Sequence, residues 1–205
     1  DPLRMLRAIR FSTVLSFDLS EDICLGLSDL KVLLPKLSLH RVKKELDLIF
    51  ASSNSIIGIK LLKKFGIDSV LGLSLDHVRY CSDYLGIWAQ ISTSKEYPFT
   101  KEEKRVIDKI NYLLNIEPSY FIVYEYGIEI CTIIDEIHNN RMYQNLYNDM
   151  PIHNRDEIDI DKEFIYSSVR SYLINDMYKK IEREILSGKL INEKKDIEHY
   201  VLDNI

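Results

Sequence analysis

The sequence predicts an all-α protein, an elongated array of short and medium helices. Three observations lead there. Turn formers are scarce, with 7 glycines and 5 prolines in 205 residues, too few for a sandwich or barrel that must turn after every strand. Apolar residues recur at three- and four-residue spacing along most of the chain. The segments so marked are bracketed by helix start and stop signals, and no strong strand pair or fixed-period repeat stands out. A composition 46% hydrophobic and 29% charged belongs to a folded chain and excludes the disordered and low-complexity classes.

Taken in order, Leu3, Leu6, Ala8, Ile9 and Val14 predict an amphipathic helix over 2–15, with Asp1 and Pro2 suited to its cap and first turn. Ser20-Glu21-Asp22 opens a second helix to about Leu34, stopped by Pro35. Ser38 introduces a third with Val42, Leu46, Ile49 and Phe50 on its apolar face. The Ser52-Ser53-Asn54-Ser55 stretch is the first real loop and a candidate boundary, followed by a short helix closed by Gly66. Two longer helices are predicted over Asp76–Ser92 and Thr100–Leu114, the second with the capping box Thr100…Glu103. Pro118 opens another, which Gly127 breaks before Ile128–Ile137. A polar helix over 139–148 precedes a loop at Pro151–Asp161, with a short extended piece at Glu157–Ile160. Helices near Glu163–Ser187, interrupted around Asn175, and Asn192–Leu202 complete the chain, with Gly188 between them.

Composition narrows the function classes. Lys and Arg number 27 against 32 Asp and Glu, a net charge of −5, so net charge alone does not suggest nucleic acid. Cys24, Cys81 and Cys131 are odd in number and widely spaced, the usage of reduced, mostly buried thiols in a cytoplasmic protein. No stretch reaches the roughly 18 continuous apolar residues of a membrane span; even 120–137 is broken by Glu125, Glu129 and Asp135. Asp1 in place of methionine suggests a processed chain or a piece of a longer one, and the cysteines favour the second.

The catalytic inventory is thin. His40, His77, His138, His153 and His199 are scattered, without H-E-x-x-H or zinc spacing. No Walker loop, G-x-S-x-G or glycine-rich phosphate cradle occurs. Asp159-Ile-Asp161 looks like a pair of metal-binding carboxylates, yet it lacks a neighbouring glycine turn, and a solvated acidic turn accounts for it better.

The first helix differs. In Asp1-Pro-Leu-Arg4-Met-Leu-Arg7-Ala-Ile-Arg10-Phe11, Asp1, Arg4 and Arg7 stand three apart on the side opposite the apolar one. A carboxylate acceptor beside a guanidinium fork can address the Watson–Crick edge of a base. The string, continued by Leu15-Ser-Phe17, resembles the neck-domain segment of bacterial class II tRNA nucleotidyltransferases, the CCA-adding enzymes. Leu37-Ser-Leu-His40-Arg41-Val-Lys-Lys-Glu45-Leu is similar to that family's S-x-E-R-I-x-x-E-L motif, with His40 at the first glutamate, and Ile59–Ile67 resembles its next helix-glycine element. Met150–Ile158 and Ile185–Glu193 resemble two pieces of the family's tail domain.

The resemblance implies a neck over 1–52, a body over 53–137 and a tail over 138–205, without the catalytic head that carries the family's glycine turn and D-x-D pair. It implies that Asp1 and Arg4 serve as the protein template for CTP and ATP, with Arg7 also nucleotide-binding, and that Arg41 and Glu45 brace the neck by an ion pair one helical turn apart. It implies no catalytic or metal-binding residue in this chain, with Mg²⁺ expected in the head and none bound here. The implied partners are the acceptor arm and elbow of tRNA, held through phosphates and shape, with Lys60, Lys63 and Lys64 as one candidate patch and Lys179, Lys180 and Arg183 as another. By itself the chain is expected to be inactive. A poly(A) polymerase, an enzyme adding only C or only A, and a non-catalytic helical interaction module are the alternatives.

Overall fold

A computed structural model describes residues 1–205 and contains thirteen α-helices with three short 3-10 turns. The two strands, β1 (Leu73–Ser74) and β2 (Ser92–Thr93), form one antiparallel ladder of two residue pairs. The fold is all-α. No helix is long and apolar enough to cross a membrane.

The chain divides into two compact units, Asp1–Ile116 with Ile133–Asn140, and Glu117–Thr132 with Arg141–Ile205. The candidate neck and most of the candidate body therefore fall within one unit, so neck and body name proposed roles here and not separate compact bodies.

The first unit begins with α1 (Leu3–Leu15), α2 (Glu21–Leu30), α3 (Leu39–Phe50) and α4 (Ser55–Lys64). Asp1 starts α1 by accepting the Leu3 amide at Oδ1, 3.0 Å away. At the other end, Asn54 donates to the Thr13 carbonyl and the Ser16 hydroxyl, satisfying acceptors that a helix C-terminus leaves open. Leu6, Ile9, Leu46, Ile49 and Phe50 are fully buried where α1 packs on α3. Gly58 lets α4 close onto both, since a Cβ there would stand 2.4 Å from Ile49 Cγ2 and 2.7 Å from Thr13 Oγ1. Pro35 does not cut α2 short in the way expected: α2 stops at Leu30, and Pro35 lies inside a 3-10 turn over Lys31–Lys36.

The largest departure from expectation is at Asp76–Ser92. The helix there is only α6 (Tyr84–Ala89), after α5 (Ile67–Leu71) and β1. Asp83 caps it midway through the expected span, accepting the Leu85 amide at 2.7 Å. The residues before it are held in loop form by Gln90, which accepts the Arg79 amide and donates to the Arg79 carbonyl, and by Glu136, which accepts from Ser82. Side chains that bond backbone compete with helix formation in this way. α7 (Lys101–Leu113) follows with both bonds of its Thr100–Glu103 capping box formed. Cys81 and Cys131 are buried and Cys24 half-buried, and none of the three is in a disulfide. Burial, aided by Glu136 and Asp83, pushes the Cys81 thiol up to about 12.

The second unit holds α8 (Tyr120–Tyr126), the first turn of α9 (Ile128–His138), α10 (Met142–Asp149), α11 (Lys162–Ser168), α12 (Ile174–Leu186) and α13 (Lys194–Asp203). Gly127, at φ +81°, separates α8 from α9, and Gly188, at φ +74°, ends the turn after α12. The extended piece expected at Glu157–Ile160 is instead a 3-10 turn over Arg155–Glu157 followed by loop. The interruption expected near Asn175 comes earlier, at Val169–Arg170, and a 3-10 turn leads into α12.

Candidate functional site

The exposed face of α1 presents Asp1, Arg4, Arg7 and Phe11 in one stripe, the consequence of three- and four-residue spacing on a helix whose other side is core. The Asp1 carboxylate is held at both oxygens, by the Leu3 amide and, at Oδ2, by Arg41 Nη2 at 2.8 Å. Both side chains of that pair are about half exposed. The Arg4 guanidinium is exposed and engaged in no ion pair. Arg7 donates from Nε to Glu45 Oε1 at 3.1 Å, and Arg10 Nε lies 3.4 Å from Glu45 Oε2. Glu45 is itself 6% exposed, so one buried carboxylate anchors two guanidiniums of the neighbouring helix.

The ion pair expected between Arg41 and Glu45 is therefore corrected. Both residues reach across to α1, Arg41 to Asp1 and Glu45 to Arg7 and Arg10. Spacing of four puts two side chains on one face, and partners on the adjoining helix then win because burial strengthens the Glu45 contacts. Beside this stripe a groove of about 450 Å³ runs past Arg4, Arg7, Phe11, Phe17 and Ile23. Its walls are mainly apolar side chains, with Phe11 50% and Phe17 67% exposed. Flat apolar walls with guanidinium donors at the rim suit a planar, hydrogen-bonding ring.

The two basic patches come out differently. Lys60, Lys63 and Lys64 are all exposed on α4, but Lys63 is paired with Asp76 and holds that carboxyl below its usual range, and Lys64 lies over the Phe65 ring. On α12, Lys179 and Arg183, one turn apart, line a cleft of about 760 Å³ with Phe121 and Lys189. Lys180 is exposed and does not line it.

Three clusters escaped the sequence reading. The first lies on the other face of α3. Lys43 Nζ donates to Asp47 Oδ2 at 2.8 Å and to Glu103 Oε1 at 2.7 Å, with its side chain only 8% exposed. Asp47 Oδ1 accepts the Trp88 indole at 2.7 Å, and Glu103 also accepts the Tyr84 hydroxyl and the Thr100 amide. Burial opposes ionisation of Glu103, but bonds from Lys43 and Thr100 outweigh it and bring the carboxyl down to about 2. Burial likewise opposes the Lys43 charge, and its two carboxylate partners raise it above the ordinary lysine value. The only clue in the sequence was the capping box, which named Glu103 but used just one of its oxygens.

The second is Arg10, present in the N-terminal string without a role. The third joins the two tail pieces. Arg155 donates to Glu182 Oε1 at 2.6 Å and to Asn175 Oδ1 at 3.0 Å, and its guanidinium stacks 5.0 Å from the Tyr178 ring. Asn192 closes the arrangement, donating to the Glu157 carbonyl and accepting the Asp159 amide. Residues 155–159 are thus bonded to α12 through Glu182 and Asn175 and to the following segment through Asn192.

No group of three or more His, Cys, Asp or Glu side chains is arranged to hold a metal ion. Asp159 and Asp161 accept backbone amides, of Lys194 and Glu163 respectively, as the residues of a loop and a helix cap do. The residues present do not fit a two-metal phosphoryl-transfer centre.

No protein-family model matches the chain. Curated relatives do. A CC-adding tRNA nucleotidyltransferase of Halalkalibacterium halodurans is 24% identical over 96% of this chain and 61% of its own length. CCA-adding enzymes of Bacillus mycoides and Bacillus cereus are each 23% identical over 98% of this chain and 60% of theirs. The chain spans about 60% of the length of these relatives. From the Asp1–Phe11 string to the bonded segments of the second unit, this chain is similar to bacterial tRNA nucleotidyltransferases over nearly its whole length.

Proposed function

We propose that residues 1–205 form the nucleotide-selecting and tRNA-binding part of a CCA-adding tRNA nucleotidyltransferase, with residues 1–52 as neck, 53–137 as body and 138–205 as tail. The observation that carries this reading is the α1 stripe: an acceptor-only Asp1 held by Arg41, then an unpaired Arg4 and a Glu45-bound Arg7 at the rim of an aromatic groove. The exocyclic amine of cytosine or adenine donates toward Asp1, while Arg4 donates toward the ring acceptors of the same edge. Uracil and guanine carry a carbonyl oxygen where cytosine and adenine carry that amine, and oxygen faces a carboxylate there without a proton between them. Selection of CTP and ATP follows from that mismatch.

Arg7, tied to Glu45, supports the stripe and offers its half-exposed charge to the nucleotide. The Mg²⁺-dependent transfer step belongs to a catalytic head outside these residues, and the chain alone is inactive. Lys179 and Arg183, at the cleft beside Phe121, are better placed for the RNA backbone than Lys63, which Asp76 already neutralises. A CC-adding specificity is the second reading, favoured by the name of the Halalkalibacterium relative. In the longer enzyme, Asp1→Ala and Arg4→Ala should each lower the preference for CTP and ATP over UTP and GTP by about tenfold or more. tRNA affinity should stay close to wild type, and an unchanged preference in both variants refutes the assignment. Single-nucleotide extension assays on tRNA ending before C, CC and CCA decide between the two specificities.

A further inference from the structure

α3 is a helix with two jobs on two sides. At 100° per residue, Arg41 and Glu45 share one side, and Lys43 and Asp47 lie roughly opposite. The first side holds the reading stripe, with Arg41 on Asp1 and Glu45 on Arg7 and Arg10. The second side is fastened to α6 and to the start of α7 through Lys43, Asp47, Glu103, Tyr84 and Trp88. We propose that Lys43 and Glu103 are positioning residues for base selection: by clamping the inner side of α3 they set where its outer side holds Asp1, Arg7 and Arg10. This rests on the reading of α1 as the base-selecting element.

Three features favour a positioning role over mere cohesion. Replacing a buried ionic cluster with apolar groups of equal size is often neutral for stability, so burial alone does not require charges at this place. Directional bonds do fix register and rotation, which apolar contact leaves looser. Here they are complete. Lys43 meets both carboxylates, each carboxylate oxygen has a donor, and the ammonium also lies 4.9 Å from the Phe99 ring and 5.7 Å from that of Tyr84. The reading stripe, by contrast, is orientated by looser pairs: Arg7 and Arg41 are each about half exposed, and Arg10 stands 3.4 Å from Glu45 Oε2, a buried oxygen that accepts no hydrogen bond. Exposed pairs are soft, so the accuracy with which Asp1 and Arg7 are placed depends on a backbone held from its other side.

The test uses the longer enzyme and the ratio of kcat/KM for CTP and ATP to that for UTP and GTP on tRNA lacking its 3′ end, with the Tm of each variant measured alongside. The ratio does not depend on how much enzyme is folded, so a merely structural role lowers Tm and yield without moving it. Glu103→Gln is expected to reduce the ratio about tenfold, the effect of displaced binding groups. The double variant Lys43→Met with Glu103→Gln should do no more than the worse single one, because both break one cluster. Tyr84→Phe removes one hydrogen bond and no charge, keeps the fold, and should reduce the ratio about threefold. Arg4→Ala serves as the reference. If Arg4→Ala moves the ratio while Glu103→Gln and Tyr84→Phe leave it at the wild-type value, the positioning role is wrong and base reading stands. If Arg4→Ala itself leaves the ratio unchanged, base reading by α1 falls, and this inference falls with it.

Discussion

Each compact unit hides one glutamate that a guanidinium from another element reaches, and the two are built to different ends. In the first, Glu45 on α3 receives Arg7 and Arg10 of α1, two residues of one helix, and leaves Arg7 half exposed. In the second, Glu182 on α12 receives Arg155 from a 3-10 turn, at 2.6 Å, with Asn175 and the Tyr178 ring as further partners of the guanidinium. Burial pushes the Tyr124 phenol, bonded to the same glutamate, up to about 12. The first arrangement orients side chains toward solvent, and the second ties a loop down. Exposure does not separate the two, since the Arg7 and Arg155 side chains are 51% and 41% exposed and that of Arg10 only 20%; what differs is that one guanidinium in the second unit meets three groups, whereas in the first, one carboxylate is shared by two guanidiniums.

That contrast breaks most readily at Arg155. Arg155→Ala leaves Glu182 buried without its cation and should destabilise the protein by about 2–4 kcal/mol, toward the low end because the arginine is partly exposed. Glu45→Gln keeps a neutral acceptor of the same shape for both arginines and leaves no buried charge unpaired, so about 1 kcal/mol is expected. Denaturant unfolding compares the two directly, and a larger loss for Glu45→Gln would reverse the distinction.

Acidity sharpens the same comparison. The folded-state value of Glu103, about 2, lies below its ordinary 4.5. Its contribution is therefore full above pH 4.5, declines as pH falls below that, and is gone once pH passes 2. Glu103→Gln should flatten this acid limb of the stability curve in the first unit. The second unit has a titration on the other side of neutrality. His153, bonded to Glu157 through Nδ1 and to the Tyr147 carbonyl through Nε2, has its pKa raised above 6.5, chiefly by Glu157. Its contribution is full below pH 6.5 and disappears as pH rises through the raised value. Proton NMR of the His153 ring should give a midpoint above 6.5, falling in Glu157→Gln.

The smallest effect is expected at the Lys63–Asp76 surface pair. Lys63→Ala should change stability by no more than about 0.5 kcal/mol, and a larger change would mean that exposed pairs in the first unit carry weight comparable with enclosed ones.

Much of this architecture can be read in the residues, for local reasons. Thr100 and Glu103 sit three apart before an apolar run, and both capping bonds form. Gly66, Gly127 and Gly188 interrupt helical patterns and adopt positive φ. The expected helix over Asp76–Ser92 failed because its periodicity is real while its middle contains Asp83, a better cap than helix residue, and because Glu136 accepts from Ser82 across more than fifty residues of sequence. The site divides in the same way. Asp1, Arg4 and Arg7 lie within two turns, so spacing places them on one face. Arg41 and Glu45 are also correctly spaced, yet spacing states which residues can meet and not which partner each prefers. Lys43 and Glu103 are 60 residues apart, beyond the reach of any periodicity, and only the folded chain brings them to 2.7 Å.

Trp88 gives the clamp on α3 a voice. It is the chain's one tryptophan, its indole bonds to Asp47, and Phe50, Tyr97 and Phe99 pack around it with ring centroids 5.0–5.2 Å away. Indole emission follows the polarity and hydrogen bonding of its surroundings, so the residue reports optically on the anchor without a label. Any event that loosens α3 from its inner side exposes the ring to water and shifts its emission to the red. The protein thereby carries a built-in fluorescent gauge at the base of its proposed reading head.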